Sequence, residues 1–344
     1  MSRLAAFWLW HGLASSTRAT YSTGYKSFFE FILSHPCHLH PSGSVLPAIS
    51  LALLEWVAFL SSRSLQPKTI KSYITHLRSA HIDNDLSFEA CESPLLQRMV
   101  RGIKRYMGEK DRKPKLPITF DILRSLVSLH PSPNSTGILN YTAAIRLAVP
   151  AFLRCGEFTV RKSRDFDPAV HLTRSSIRFE PSFAAPNYIV LSMPSSKTDP
   201  FRKGTSLFIS AAPGASTCPV AILKQLYTLD PRPPESPLFV GDDGLPLLRG
   251  DLIRRLREDL SSLGLDAPNY AGHSFRRGGA SSAAAAGCHD FELQQLGRWR
   301  SDAYKLYIEP NRLRLLSLSA RLHWAVPNAQ LPEPPSLHFA PQLA

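Results

Sequence analysis

Three widely separated segments of this 344-residue chain carry side chains whose types suit chemistry on an anionic group. The first segment holds Arg154, the second holds His273 and Arg276, and the third ends with Trp299 and Tyr307. Arginine stays protonated and offers a planar fork of N–H donors, which suits a phosphoryl group that gains negative charge in its transition state. A tyrosine hydroxyl, with a pKa of about 10 when free, becomes a useful nucleophile only where its surroundings help it. The set therefore predicts attack by a tyrosine on a phosphoryl group.

The order and local sequence of these segments are distinctive. They are Phe152-Leu153-Arg154-Cys155-Gly156-Glu157, His273-Ser274-Phe275-Arg276, and Leu296-Gly297-Arg298-Trp299, with Tyr307 ten residues after the glycine. The steps are 119 residues from Arg154 to His273 and 34 from His273 to Tyr307. This pattern resembles the tyrosine recombinase (phage-integrase-like) family, which has Arg, His-x-x-Arg, His or Trp, and Tyr in that order. The resemblance covers nearly the whole chain, and the last segment looks most like integrases of fungal mobile elements.

The resemblance implies a site-specific DNA recombinase or integrase, an enzyme that breaks and rejoins DNA strands. Tyr307 would attack the scissile phosphate and form a covalent 3′-phosphotyrosyl bond, leaving a free 5′ hydroxyl. The bond energy is stored in this link, so neither ATP nor a divalent metal is implied, and no cofactor is expected.

The resemblance also assigns roles to the other residues of the pattern. Arg154 and Arg276 would clamp the phosphate, and His273 would add a hydrogen bond or help to move the tyrosine proton. Lys197, on a turn between two predicted strands, would protonate the leaving 5′ oxygen, and Lys203 on the same turn is the alternative. Glu157 matches the acidic partner that orients the first arginine, a structural role.

Two positions depart from the commonest pattern of the family: Phe152 stands where the first segment more often has glycine, and the last segment lacks a histidine. A second histidine often follows the glycine of the last segment, whereas this chain has Arg298 and then Trp299. Trp299 could donate through its indole N–H, and Arg298 could fill the same position instead. Tyr304 lies three residues before Tyr307 and is a rival nucleophile, although the count from Gly297 favours Tyr307.

Composition narrows the class of partner. Lys and Arg total 40 against 27 Asp and Glu, which gives a net charge of +13 and biases the search toward polyanions such as nucleic acid. The five cysteines are odd in number and scattered, which argues against a dense disulfide framework and suits a reducing compartment. No apolar run approaches the roughly 18 residues that a membrane helix needs. We therefore expect a soluble intracellular protein with no membrane association and no metal site.

Basic side chains form two stripes on predicted helices of the N-terminal region. Up to Leu116 the chain has 15 basic and 8 acidic residues. The helical spacing places the members of each stripe on one face, and such a face either is simply solvated or contacts DNA phosphates. The candidate DNA-binding residues are Lys68, Lys71, Arg78, Arg98, Arg101 and Arg105, joined by Arg112 and Lys113 in a basic linker.

Hydrophobic periodicity predicts helices over 18–33, 49–61, from Pro67, and after Pro94, with Ser16 or Thr17 capping the first. After the linker it predicts helices over 119–129 and 138–149, then short strands over 176–180, 188–193 and 206–209. Further helices are predicted over 219–227, 248–263, 275–286, 291–299, 301–309 and 310–324.

The predicted fold class is mainly α with a small antiparallel sheet (α+β). Residues 1–109 would form a helical core-binding domain of the SAM-like type, 110–116 a basic linker, 117–326 the catalytic domain and 327–344 a Pro-rich disordered tail. Together the two domains would close around duplex DNA.

The expected partner is double-stranded DNA. Recombination needs several active sites, so the resemblance also implies self-assembly into a tetramer on DNA. The location would be nuclear if the host is eukaryotic and cytoplasmic otherwise. The main alternative is a catalytically decayed or domesticated DNA-binding protein of the same fold, and topoisomerase-like relaxation of DNA is a third.

Overall fold

The computed structural model describes residues 2–108, 114–194, 204–299 and 301–307, together with 316, 317, 319, 320 and 323. The chain divides into two compact units, Met1–Lys113 and Pro114–Ala344. The predicted general acid Lys197, its alternative Lys203, the linker residues Arg112 and Lys113, and the 327–344 tail lie outside the described residues.

The described part of the first unit is helical, and most of its elements follow the predicted pattern. Its helices are α1 (Arg3–His11), α2 (Ser15–Ser34), α3 (Ser50–Ser62), α4 (Pro67–Asp83), α5 (Glu89–Glu92) and α6 (Pro94–Met107). Proline at the first position of α4 and α6 suits a helix start, because its missing N–H would be unpaired there anyway. The core is built around Trp56 of α3, which contacts the Phe28 ring of α2 edge-on at 5.2 Å.

Two details of the first unit differ from the sequence-based expectation. Helix α1 was not predicted, because its apolar residues form an uninterrupted run with no buried face, and none of its residues is buried in the structure. The predicted cap of the next helix by Ser16 or Thr17 is wrong. Helix α2 begins at Ser15, and Ala14 precedes it without a side-chain cap.

The second unit combines helices with one small sheet. Its elements in chain order are α7 (Phe120–Ser128), α8 (Thr136–Ala148), α9 (Cys155–Phe158), β1 (Ile177–Glu180), β2 (Tyr188–Met193), β3 (Thr205–Ser210), α10 (Pro219–Leu229), α11 (Arg249–Ser262), α12 (Ser274–Ala285) and α13 (Asp290–Gly297). A 3₁₀ helix, Asp302–Tyr307, stands where the sequence predicts a longer helix over 301–309. The predicted fold class, mainly α with a small antiparallel sheet, is confirmed.

The sheet has the order β1-β2-β3, and both pairs are antiparallel. Strand β2 is central and pairs Leu191 with Ile177 on one side and Ile189 with Ile209 on the other. The core of the unit surrounds α8, in which nearly every residue is buried. Met193, at the end of β2, is also buried, which brings this end of the sheet against the functional segments described below.

Two adjacent glycines let helix α12 approach the rest of the second unit closely. A Cβ at Gly278 would lie 1.8 Å from the carbonyl oxygen of Ile118, and one at Gly279 would lie 2.5 Å from that of Val149. Neither distance is compatible with a side chain, so only glycine lets the helix sit here. Because α12 begins just after His273, this contact also sets the position of Arg276.

We expect Gly278→Ala to destabilise the second unit, since the added methyl group overlaps backbone that cannot move without repacking α12. The expected loss in free energy of unfolding is about 3 kcal/mol. Gly250→Ala on α11 is the matched control, because a Cβ there meets nothing within 4 Å. It should gain up to about 1 kcal/mol from the better helix propensity of alanine. Urea unfolding followed by circular dichroism measures both, and equal behaviour of the two variants would contradict the close approach of α12.

Candidate active site

Arg154 is held by a short turn that also brings Glu157 beside it. Arg154 precedes α9, and its backbone N–H donates to Oε2 of Glu157 at 2.8 Å while its Nη1 donates to Oε1 at 2.8 Å. The Glu157 side chain is 6% exposed and that of Arg154 is 18% exposed. This pairing agrees with the expected role of Glu157, since the carboxylate fixes the first arginine from both the backbone and the side chain.

Arg276 projects from the first turn of α12 into the interior and is fully buried. Its Nη1 donates to the carbonyl oxygen of Phe152 at 2.7 Å, and its Nη2 donates to that of Gly297. Burial and the guanidinium groups of Arg154 and Arg298 lower the pKa of Arg276 to about 9. Arg276 therefore stays charged at neutral pH and joins the first and third functional segments.

Trp299 connects Arg276 to the predicted nucleophile. Its ring lies 4.2 Å from the Arg276 guanidinium and 5.6 Å from the Tyr307 ring, measured to the ring centroids. The indole folds back over Gly297, where a Cβ would lie 1.5 Å from Cζ3 of Trp299. A direct contact of Arg276 with a phosphate would thus require the indole ring to move aside.

Tyr307 ends the 3₁₀ helix, and α12 holds this turn through two backbone carbonyls. Ser281 donates its hydroxyl to the Tyr307 carbonyl at 2.8 Å, and Arg277 donates to that of Leu306 at 3.0 Å. The rival Tyr304 is 1% exposed, and burial together with the Asp290 carboxylate raises the pKa of its hydroxyl. Tyr307 is half-buried and lies beside the arginine cluster, so the geometry favours it over Tyr304 as the nucleophile.

Both candidates for the third position lie in the cluster, in different places. Trp299 contacts Arg276 and Tyr307, whereas the Arg298 guanidinium donates to Oε2 of Glu157 at 3.1 Å. His273 lies on the exposed surface at the start of α12, one turn before Arg276. Contacts and electrostatic interactions thus join four of the sequence-predicted positions in one positively charged cluster: Arg154, Arg276, Trp299 and Tyr307.

Comparisons with known proteins show which proteins this chain resembles. A scan against protein-family models finds no match. The integrase/recombinase xerD homolog of Selenomonas ruminantium is 25% identical over 296 residues, which are 83% of this chain and 77% of that protein. The XerH site-specific recombinase, solved in a post-cleavage complex with palindromic difH substrate, matches with a TM-score of 0.58 at 14% identity. The match covers 89% of this chain and 79% of that one.

A lambda integrase dimer bound to a COC′ core site also matches, with a TM-score of 0.52 at 14% identity over 87% of this chain and 73% of that one. The chain is thus similar in sequence to an integrase/recombinase and shares its fold with site-specific recombinases and integrases.

The first unit contains a basic groove between α4 and α6, about 880 Å³ in volume. Lys68, Lys71 and Arg101 line it, together with Lys104. Arg78 also lines the groove, but its guanidinium is paired with Glu92 at 2.5 Å, which reduces its availability to phosphate. The remaining members of the second stripe, Arg98 and Arg105, lie exposed on α6.

Sequence analysis missed a second basic groove, in the second unit, about 980 Å³ in volume. Arg249, Arg254 and Arg257 of α11 line it with Arg161, and Gly272 places it next to His273. The three helical arginines recur at five and three residues, and a step of five leaves the same-face spacing of a helix, so no stripe is visible in the sequence. Asp251 and Glu258 pair with Arg254 and obscure the excess of positive charge in the sequence.

Among residues 2–108, 114–194, 204–299 and 301–307, no group of three or more His, Cys, Asp or Glu side chains could hold a metal ion. In the same part of the chain, no helix combines the length and the apolar character needed to cross a bilayer.

We expect Glu157→Gln to lower the free energy of unfolding by about 3 kcal/mol, because it leaves buried guanidinium groups without their counter-charge. Glu180→Gln is the matched control, since its partner Arg178 is 71% exposed and such surface pairs contribute at most about 1 kcal/mol. Urea unfolding of both variants is the measurement. A Glu157→Gln loss as small as that of the control would show that the carboxylate does not stabilise the cluster.

Proposed function

We propose that this protein is a site-specific DNA recombinase that breaks and rejoins DNA strands through a covalent 3′-phosphotyrosyl intermediate. The observation that carries the proposal is the convergence of Arg154, Arg276 and Tyr307. Arg154 and Arg276 lie 122 positions apart in the sequence, and in the structure they meet Tyr307 in one positively charged cluster. The Arg276 guanidinium and the Tyr307 side chain are close enough to influence each other electrostatically.

In the proposed step, Oη of Tyr307 forms a bond to phosphorus and the bond from phosphorus to the 5′ oxygen breaks. The tyrosine proton passes to His273 or to water, and Lys197 gives a proton to the departing 5′ oxygen. The reverse step uses the 5′ hydroxyl of another strand as the nucleophile. Each step breaks one phosphoester bond and forms another, so the rejoining step needs no external energy source.

The arginines stabilise the charge that accumulates on the non-bridging oxygens. Fixed guanidinium groups in a partly buried pocket stabilise developing charge more strongly than mobile ones in water, because they are already oriented. Arg154 is the more accessible of the two. Arg276 contributes its charge from beneath the Trp299 ring, and it reaches the phosphate directly once the indole moves aside and offers its own N–H.

We further propose duplex DNA as the substrate and assembly into a tetramer on it, which would supply the several active sites that recombination needs. The likeness of the Leu296–Ile308 segment to integrases of fungal mobile elements supports a mobile-element origin and a nuclear location. A domesticated protein that binds DNA without cutting it is the competing function. The presence of Arg154, Arg276 and Tyr307 in one cluster favours the enzyme.

The decisive experiment traps the covalent intermediate. The substrate is a nicked duplex from which the short fragment with the 5′ hydroxyl dissociates after cleavage, so that the strand is not rejoined. With this substrate, the wild-type protein should form a DNA adduct that survives denaturant. Tyr307→Phe should abolish the adduct because the attacking oxygen is gone, and Tyr304→Phe should retain it. A wild-type protein that binds this DNA without forming an adduct would favour the binding function. An adduct that depends on Tyr304 would show that the nucleophile is misassigned.

DNA affinity should fall steeply with salt, because each phosphate contact releases counterions. Lys71→Ala in the groove between α4 and α6 should reduce the slope of log affinity against log salt by about 1. Lys26→Ala is the matched control: this lysine is exposed on α2 of the same unit and does not line the groove. Fluorescence anisotropy over a salt series measures the slopes. Identical slopes for the two variants would exclude the groove as a phosphate contact.

A further inference from the structure

Arg298 has a backbone conformation that arginine rarely adopts. It follows the last residue of α13 with φ 55° and ψ 44°, in the left-handed region where glycine is the usual residue at a helix end. A glycine at this position would adopt the same conformation without strain. An arginine held in this conformation at the edge of the active site indicates a function for its side chain there.

The Arg298 guanidinium is 11% exposed and joins three segments of the site. It donates to Oε2 of Glu157 at 3.1 Å, to the carbonyl oxygen of Phe152 at 3.3 Å, and to the sulfur of Met193. Glu157 belongs to the turn that holds Arg154, and Met193 ends strand β2, just before the segment that carries Lys197. One side chain therefore links the third functional segment to the first and to the sheet.

The contact with Glu157 limits how that carboxylate can pair with Arg154. Oε2 of Glu157 accepts from the Arg154 backbone and from Arg298, and Oε1 accepts from Nη1 of Arg154. Among the described residues, the Arg154 guanidinium thus meets Glu157 through one terminal nitrogen. Without Arg298, Oε2 would be open to a second Arg154 nitrogen, because arginine and carboxylate favour the two-bonded fork. Arg298 thus leaves the remaining N–H donors of the Arg154 guanidinium for another acceptor.

Arg298 also changes the charge of the cluster. Arg154, Arg276 and Arg298 surround one carboxylate, Glu157, which leaves an excess of two positive charges in a small, largely buried space. A phosphodiester carries one negative charge, and the pentacoordinate transition state of its displacement carries two. The cluster with Arg298 therefore complements the transition state better than the ground state, which is the condition for raising a rate.

We propose that Arg298 is a positioning residue of the active site: it occupies Glu157 so that Arg154 presents free N–H donors to the scissile phosphate, and it brings the cluster to the charge of the transition state. The inference rests on the proposed function and names an element of this site that the family pattern does not assign.

The test compares Arg298→Gly with Ser64→Gly. Both changes replace a residue in the left-handed region, since Ser64 has φ 60°, but Ser64 lies in the first unit and outside the site. In single-turnover cleavage of the nicked duplex at saturating protein, Arg298→Gly should be about a hundredfold slower than wild type. Its DNA affinity should stay within about threefold, because the scissile phosphate is only one of many phosphate contacts that hold the duplex. Ser64→Gly should match the wild type in both.

Two additional measurements separate positioning from simple structural support. Guanidinium ion at low millimolar concentration should restore cleavage by Arg298→Gly at least about tenfold, because it can occupy the vacated space between Glu157 and Phe152. Arg298→Lys keeps the charge without the planar fork, so it should recover only part of the rate. Wild-type cleavage by Arg298→Gly would overturn the proposal. A cleavage rate and a melting temperature of Arg298→Gly that both fall, without rescue by guanidinium ion, would also overturn the proposal.

An anion-binding readout keeps this inference distinguishable from the proposed function. Inorganic phosphate should raise the melting temperature of the wild type and of Ser64→Gly more than that of Arg298→Gly. If the wild type forms no DNA adduct but this difference persists, the recombinase function fails while the role of Arg298 in the anion site holds. Equal shifts for all three proteins would overturn the role of Arg298.

Discussion

The burial of like-charged guanidinium groups around one carboxylate is the interaction on which the active site depends. Arg154, Arg276 and Arg298 repel one another, and desolvation adds to the cost of holding them together. Glu157 offsets part of this cost, and the Phe152 carbonyl oxygen accepts from two of the three guanidinium groups. A cluster with this excess of positive charge requires a rigid frame that holds its guanidinium groups together.

The rigid frame comes from close contacts at glycines, where the absence of a side chain lets two segments of the chain approach each other. Gly278 and Gly279 seat helix α12 against the segments of Ile118 and Val149, and Gly297 makes room for the indole of Trp299. Because α12 then holds the carbonyls of the final 3₁₀ turn, the same contact positions the arginine and the nucleophile. Small residues near the site therefore act at a distance on its chemistry, by setting how closely its elements approach.

Much of this arrangement could be predicted from the sequence, and the exceptions have physical reasons. Periodicity identified β2 over 188–193 with the same bounds as the structure, because strand alternation and flanking turns are local properties. Helix α1 escaped prediction because an apolar run without a buried face has no period to detect. The choice between Arg298 and Trp299 could not be made, since it depends on a backbone angle at the end of α13 that turns one side chain toward Glu157 and the other over Arg276.

The sequence by itself determined the inventory of reactive groups, their order, and the local helices and strands that carry them, since these follow from residue type and short-range spacing. Only the tertiary structure decided which groups meet. The pairing of Arg298 with Glu157, across 141 positions, and the cover of Trp299 over Arg276 arise from long-range packing. Local spacing carries no information about such contacts, because they depend on how closely separate elements can approach one another in the folded chain.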